Sequence, residues 1–238
     1  MNKEQELIDR LIDLAFAEDI GDGDHTTLSC IPETAMGKSK LLIKEAGILA
    51  GIEVAKEVFR RFDPTMKVTV YINDGAEVKP GDVAMIVEGK VQSLLQTERL
   101  MLNIMQRMSG IATMTHKYQE RLKGTHTRVL DTRKTTPGWR NLEKYAVATG
   151  GAFNHRIGLF DRVMIKDNHR ELAGLEGAGG IKRSVERARA QYPNLEVEVE
   201  VDSLSELDEA LESRAEYILL DNMSDEMMAE AVRRVNGR

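Results

Sequence analysis

The chain has 238 residues, 42% hydrophobic and 30% charged, enough for one large domain or two smaller ones with a substantial core. A net charge of −6 excludes a nucleic-acid protein built on bulk positive field, and no segment approaches the apolar length of a membrane span. One cysteine, Cys30, excludes an intramolecular disulfide and a cysteine-based metal cage; with no signal peptide expected in MNKEQELIDR, a cytoplasmic protein is the expectation.

Residues 3–17 put Leu7, Ile8, Leu11, Ile12, Ala15 and Phe16 on one stripe and predict an amphipathic helix. EDIGDGDHTT then reads as a loop. From Lys38 to Glu88 short branched runs alternate with turn signals at Asp74-Gly75 and Pro80-Gly81-Asp82, so strands are predicted, with a helix over Ile52–Phe62. A long helix is predicted from Ser93 to about Met108. In it Leu94, Leu95, Leu102 and Met105 face a core, while Arg99, Asn103 and Gln106 share a polar stripe. Beyond it, RVLD, RVMIK, LEVEVEV and EYILL are strand candidates, separated by helices near 141–150, 181–191, 204–213 and 225–235, the third opened by a capping box of Ser203 and Glu206. Repeated strand–helix units imply parallel strands with chemistry at their carboxyl ends, and Lys134, Lys166, Glu200 and Asp221 lie at or near such ends.

Between Asp131 and His169 the cations Arg133, Lys134, His155, Arg156 and Lys166 cluster where strand-to-helix loops begin. In an acidic protein this points to a pocket for a small, highly charged anion, phosphate or carboxylate, because Arg offers a planar fork and Lys a point charge. Read alone, Arg99 is a solvated helix arginine, Glu196, Glu198 and Glu200 alternate with valines as on a half-exposed strand, and Asp221-Asn222 could cap a helix.

EDIGDGDHTT, KEAGILAG, ERLMLNIMQRMSGIAT, DTRKTTPGWRNLEKYAVATGGAFNHRIGLFDRVMIKDNH, VEVEVDS and ILLDN together resemble the quinolinate phosphoribosyltransferases (nicotinate-nucleotide pyrophosphorylases, carboxylating). The resemblance runs from Glu18 to Asn222, and the block from TRKTTPG to IKDNH is highly specific. It implies an α/β chain, with an N-terminal α/β sandwich (1–101) and a C-terminal incomplete parallel α/β barrel (102–238). The implied activity is phosphoribosyl transfer from phosphoribosyl pyrophosphate to quinolinate with decarboxylation, in NAD biosynthesis. Implied partners are those two substrates, with neither nucleic acid nor membrane, and a homodimer or larger homo-oligomer. Arg99, Arg133, His155, Arg156 and Lys166 match the quinolinate-binding cations, Arg99 reaching the partner's site. Lys134 matches the lysine near phosphoribosyl pyrophosphate, and Glu200 and Asp221 match carboxylates near the ribose and Mg²⁺.

The resemblance also carries departures. Four strand–helix units follow Ser109, whereas a closed barrel needs about eight strands. The family continues with glycine-rich strand ends that cradle the 5′-phosphate, so further residues after Arg238 are expected, and strand EYILL is expected to leave apolar surface uncovered around Leu219 and Leu220. ELAGLEGAGGI is a longer glycine-rich stretch than the family implies. Two alternatives stay open: a related enzyme for another heterocyclic acid such as nicotinate, and a shortened, non-catalytic carboxylate-binding paralogue.

Overall fold

The computed structural model describes residues 3–237, so the expected outer domain limits at 1 and 238 lie outside the described residues. The chain divides into two compact units, Met1–His155 and Arg156–Arg238, and residue 101 lies inside a continuous helix.

Unit 1 opens with α1 (Lys3–Asp19), in which Ile12 is fully buried and Ile8, Leu11, Ala15 and Phe16 pack against the core. Leu7, at the rim of the stripe, is exposed. The segment expected to be all loop ends in a short helix, α2 (His25–Cys30). Asp24 caps it, its carboxylate accepting from Thr27 N at 3.0 Å. Strands β1 (Met36–Leu42), β3 (Lys67–Val70) and β5 (Val83–Lys90) form an antiparallel sheet in the order β1-β5-β3. A second antiparallel pair joins β2 (Gly47–Ile48) and β4 (Glu77–Val78). Helix α3 (Ile52–Phe62) lies where predicted and buries Ile52, Val54, Ala55, Val58 and Phe59. It starts at Gly51, whose φ of +107° disfavours any residue with a Cβ, and Asp74 accepts from Ile52 N at 2.9 Å.

Helix α4 (Val91–Arg121) is twice as long as predicted. Ser109-Gly110 does not end it, because tertiary bonds hold the next turns. Ser109 Oγ accepts from Ala50 N at 3.0 Å and Thr113 Oγ1 from Ile48 N at 2.8 Å. Its buried stripe runs through Leu94, Thr97, Met101, Ile104, Met105, Met108 and Ala112; Leu95, about 100° round from Leu94, is exposed instead of buried. Helix α5 (Arg140–Thr149) packs on α4 and ends at Gly150, where a Cβ would come within 2.4 Å of Ala112 O. The expected strand RVLD is reduced to one parallel bridge, Leu130 with Phe153. Polar Thr127 and Arg128 precede it, and after Asp131 the chain turns, Thr132 Oγ1 accepting from Lys134 N at 3.0 Å.

Unit 2 is a parallel sheet, β6-β7-β8 (Val163–Ile165, Val197–Val201, Tyr217–Leu220), with Ile165 beside Val199 and Val201 beside Leu220. Val197, Val199 and Val201 point to one side and pack with Ile181, Val185, Leu207 and Ala210 of α7 (Gly180–Gln191) and α8 (Leu204–Ser213). Period-2 alternation sends Glu198 and Glu200 to the opposite face. Ser203 caps α8 as predicted, accepting from Glu206 N, while Glu206 reaches back to Asp202 N rather than to Ser203. Helix α9 (Asp225–Val235) follows β8. On β8 only part of the expected exposure appears: Leu219 is 38% exposed, whereas Ile218 and Leu220 pack against the core. The sequence also gave no sign of α6 (Asp167–Gly174), directly after β6.

Candidate active site

In unit 2 three parallel strands deliver three ionisable residues to one end. Lys166 follows β6, Glu200 is the penultimate residue of β7, and Asp221 follows β8. Asp221 N donates to Val201 O at 2.9 Å, extending the sheet ladder to the residue whose carboxylate is at issue. The helix-cap alternative for Asp221 fails, because Ser224 caps α9 by accepting from Met227 N.

These side chains lie close enough to act on one another. Burial pushes the Glu200 carboxyl above its ordinary range; Lys166 pulls it back, the charges of Asp221 and Asp167 raise it, and Arg170 again opposes them. Two carboxylates and a lysine at the carboxyl ends of parallel strands can hold a polyhydroxylated, multiply charged group and answer positive charge developing on it.

Arg170 was not foreseen as part of this arrangement. It is buried on α6, donating through Nη1 to Glu200 O at 2.6 Å and through Nη2 to Asp202 at 2.9 Å, with Glu206 at 3.1 Å. It thereby ties α6 to the end of β7. Its only sequence signal is its place one helical turn beyond Lys166. Arg156 is buried and donates to Arg162 O at 3.2 Å. Arg162 itself pairs with Glu196 at 2.7 Å and lies over the Tyr217 ring at 4.2 Å.

In unit 1 the segment 131–136 is fixed from three helical residues. Arg140 Nε donates to Thr135 Oγ1 at 3.0 Å, and Arg107 Nη2 to Thr136 Oγ1 at 2.6 Å. Glu143 accepts from Arg107 Nε at 3.1 Å. Within that frame Arg133 is half-buried, and its Nε is sealed from solvent with no hydrogen-bond acceptor among the described residues. Arg61 Nε and Arg183 Nε are sealed in the same way, so this feature is not particular to the candidate site. Lys134 beside it is exposed, and His155 is half-buried. Arg99 is exposed on α4, away from that helix's buried stripe.

Two family models cover nearly the whole chain. The N-terminal domain of quinolinate phosphoribosyl transferase matches residues 24–109, and the C-terminal domain matches residues 111–238. The chain belongs to the quinolinate phosphoribosyltransferase family. A probable nicotinate-nucleotide pyrophosphorylase (carboxylating) of Synechocystis sp. is 42% identical over 228 residues, 95% of this chain and 75% of that protein. The mitochondrial quinolinate phosphoribosyltransferase (decarboxylating) 2a of Nicotiana tabacum is 41% identical over 245 residues, 96% of this chain and 69% of that one. The crystal structure of NadC from Streptococcus pyogenes superposes with a TM-score of 0.89 at 40% identity, covering 97% of this chain and 80% of that one. The α/β fold and the family anticipated from TRKTTPG to IKDNH are therefore both borne out.

Proposed function

We infer that this chain catalyses the reaction of its family, transferring the phosphoribosyl group of phosphoribosyl pyrophosphate to the ring nitrogen of quinolinate. Nicotinate mononucleotide, pyrophosphate and CO₂ result, a step of NAD biosynthesis. The observation that carries the reading is the set Lys166, Glu200 and Asp221 at the carboxyl ends of three adjacent parallel strands, within a chain of this family.

Quinolinate presents two neighbouring carboxylates on a planar ring and calls for a fan of cations. Arg133, His155, Arg156 and Lys166 supply it in this reading, each charge-assisted bond worth roughly 1.5–3 kcal/mol. Arg133 is supported by its place in the turn that Arg140 and Arg107 fix, where its half-buried guanidinium offers a planar fork to a carboxylate. As the bond from C1 of the ribose to pyrophosphate breaks, positive charge grows on C1 and negative charge on the leaving oxygens. Glu200 and Asp221 hold the ribose side and stabilise the first, while Lys134 and Lys166 offset the second. The pyridine nitrogen gains ribose and becomes a cation. When the adjacent carboxylate leaves as CO₂, the electron pair of the broken bond stays on the ring carbon, stabilised by the positive charge of the neighbouring nitrogen, and that carbon then takes a proton.

Magnesium fits these residues. Burial first, and the charge of Asp221 after it, raise the Glu200 carboxyl, and a divalent cation held between the two carboxylates would offset that charge. Among the described residues no cluster of three metal-ligating side chains occurs. Mg²⁺ needs none, being held typically by one or two carboxylates together with substrate phosphates. When bound through Glu200 and Asp221 it supplies charge neutralisation of the leaving pyrophosphate.

The assembly proposed is a homodimer in which Arg99 serves the partner's quinolinate, supported by its exposed place on α4. The compartment proposed is the cytoplasm; among the described residues no helix is long and apolar enough to cross a membrane. Incubation with quinolinate, phosphoribosyl pyrophosphate and Mg²⁺ tests the activity. Equal release of CO₂ and pyrophosphate is expected, and no reaction with nicotinate. Turnover of nicotinate, or binding without turnover, contradicts the reading.

A further inference from the structure

One buried ion pair in unit 1 has no place in the chemistry above. Lys144, in the middle of α5, is 1% exposed and among the largest fully buried side chains, between the buried Leu142 and Ala146. Its ammonium pairs with Asp131, whose side chain is only 6% exposed. Burying such a pair is a poor way to stabilise a fold, since apolar residues of like volume often serve as well or better; what a pair offers is directional hydrogen bonding.

That directionality converges on one residue. Asp131 Oδ1 accepts from His155 N at 2.8 Å, and Lys144 Nζ donates to His155 O at 3.0 Å. Both backbone polar groups of His155 are thus held by the two halves of the ion pair. In the amide orientation that matches donors to acceptors, Asn154 adds bonds to Asp131 Oδ2 at 2.8 Å and to Lys144 O at 2.9 Å. One residue earlier, Phe153 N donates to Val129 O at 3.0 Å and Asp131 N to Phe153 O at 3.1 Å, so the clamp closes a short bridge between two chain segments. Asp131 also begins the turn that carries Arg133 and Lys134.

We propose that the Asp131–Lys144 pair is a positioning device that fixes the His155 backbone, and with it the starting point of the imidazole, for quinolinate binding. The proposal rests on the reading of His155 as a substrate contact. Asp131 and Lys144 are positioning residues, touching the His155 peptide groups rather than substrate. A charged pair suits the task because its two ends answer the N–H and the C=O of a single residue at once, which no apolar filling does.

The test separates geometry from stability. Lys144→Met leaves Asp131 buried and uncompensated, and a loss of melting temperature is expected. Asp131→Asn/Lys144→Met removes both charges, keeps an acceptor for His155 N, and withdraws the donor to His155 O. Most of the melting temperature should return, while kcat/KM for quinolinate stays depressed by up to about 10²-fold and KM for phosphoribosyl pyrophosphate is unchanged. Lys144→Gln, which retains a donor, should recover part of the quinolinate efficiency, and its contrast with Lys144→Met stands even if the double variant folds poorly. In parallel, NMR of histidine labelled with ¹³C at Cε1 follows the ring itself, the His155 signal among five being assigned by its loss in His155→Ala. A shifted or broadened His155 signal in the double variant supports the proposal. An unmoved signal, or quinolinate efficiency that returns in step with melting temperature, overturns it. If the signal moves while His155→Ala leaves quinolinate binding intact, the positioning stands and the substrate role of His155 fails.

Discussion

Glu200 shows how a single carboxylate is tuned for its surroundings. Its carboxyl is raised, first by burial and then by Asp221 and Asp167, against the pull of Lys166 and Arg170. A folded-state value above the unfolded one means that the fold favours the protonated form. That contribution to stability is complete below the ordinary value of 4.5 and is lost as pH rises through the folded value. Glu200→Gln is therefore expected to stabilise the protein at pH 7, with the gain fading below 4.5, while abolishing turnover; chemical denaturation at both pH values checks it. Equal stability at pH 7 would remove Glu200 from the strained end of the sheet. Arg133 makes a second prediction at this scale. Its guanidinium answers a substrate carboxylate in the proposed reading, so Arg133→Ala should cost about 2–5 kcal/mol in quinolinate binding by calorimetry and leave phosphoribosyl pyrophosphate binding nearly intact. The strand-end places of Lys166, Glu200 and Asp221 were legible because strand-to-helix alternation marks carboxyl ends directly, whereas Lys134 follows no strand, RVLD being reduced to one bridge. Arg170, Asp131 and Lys144 were not, since each acts on backbone groups brought near only by folding.

Elements ending in a signal local to the chain were read closely, and those ended by tertiary contact were not. Helix α3 matched its prediction because Gly51 and Asp63 bound it in sequence. Helix α4 overran its predicted end by thirteen residues, because Ser109 and Thr113 side chains bond the β2 segment in ways no periodicity reports. Gly150 is the corresponding contact for α5. Gly150→Ala, forcing a Cβ against Ala112 O, should destabilise the protein by about 1–3 kcal/mol in urea denaturation. Tyr145 on α5 reaches Asp74 Oδ2 at 2.8 Å, and burial together with that bond pushes its phenol up to about 12. The neutral phenol is the form the fold favours, so its contribution is full below about 10 and lost as pH rises through about 12. Tyr145→Phe should flatten the fall of stability across that window, and an unchanged pH profile would show that the Asp74 contact is not held in solution.

At the scale of the whole molecule, the proposed reaction has one chain perform two linked bond cleavages, loss of pyrophosphate and loss of CO₂. The proposed dimer makes one prediction of its own. Mixed Arg99→Ala and Lys134→Ala chains should recover part of the activity that neither homodimer has, and no recovery despite demonstrated subunit exchange would refute a shared site. The most direct measurement follows the fate of one carbon. Quinolinate labelled with ¹³C in the carboxylate adjacent to the ring nitrogen is turned over with phosphoribosyl pyrophosphate and Mg²⁺, and label and pyrophosphate are counted together. The label is expected wholly as CO₂, one for each pyrophosphate, with none in the nucleotide. Label retained in the nucleotide, or pyrophosphate released without CO₂, would contradict it.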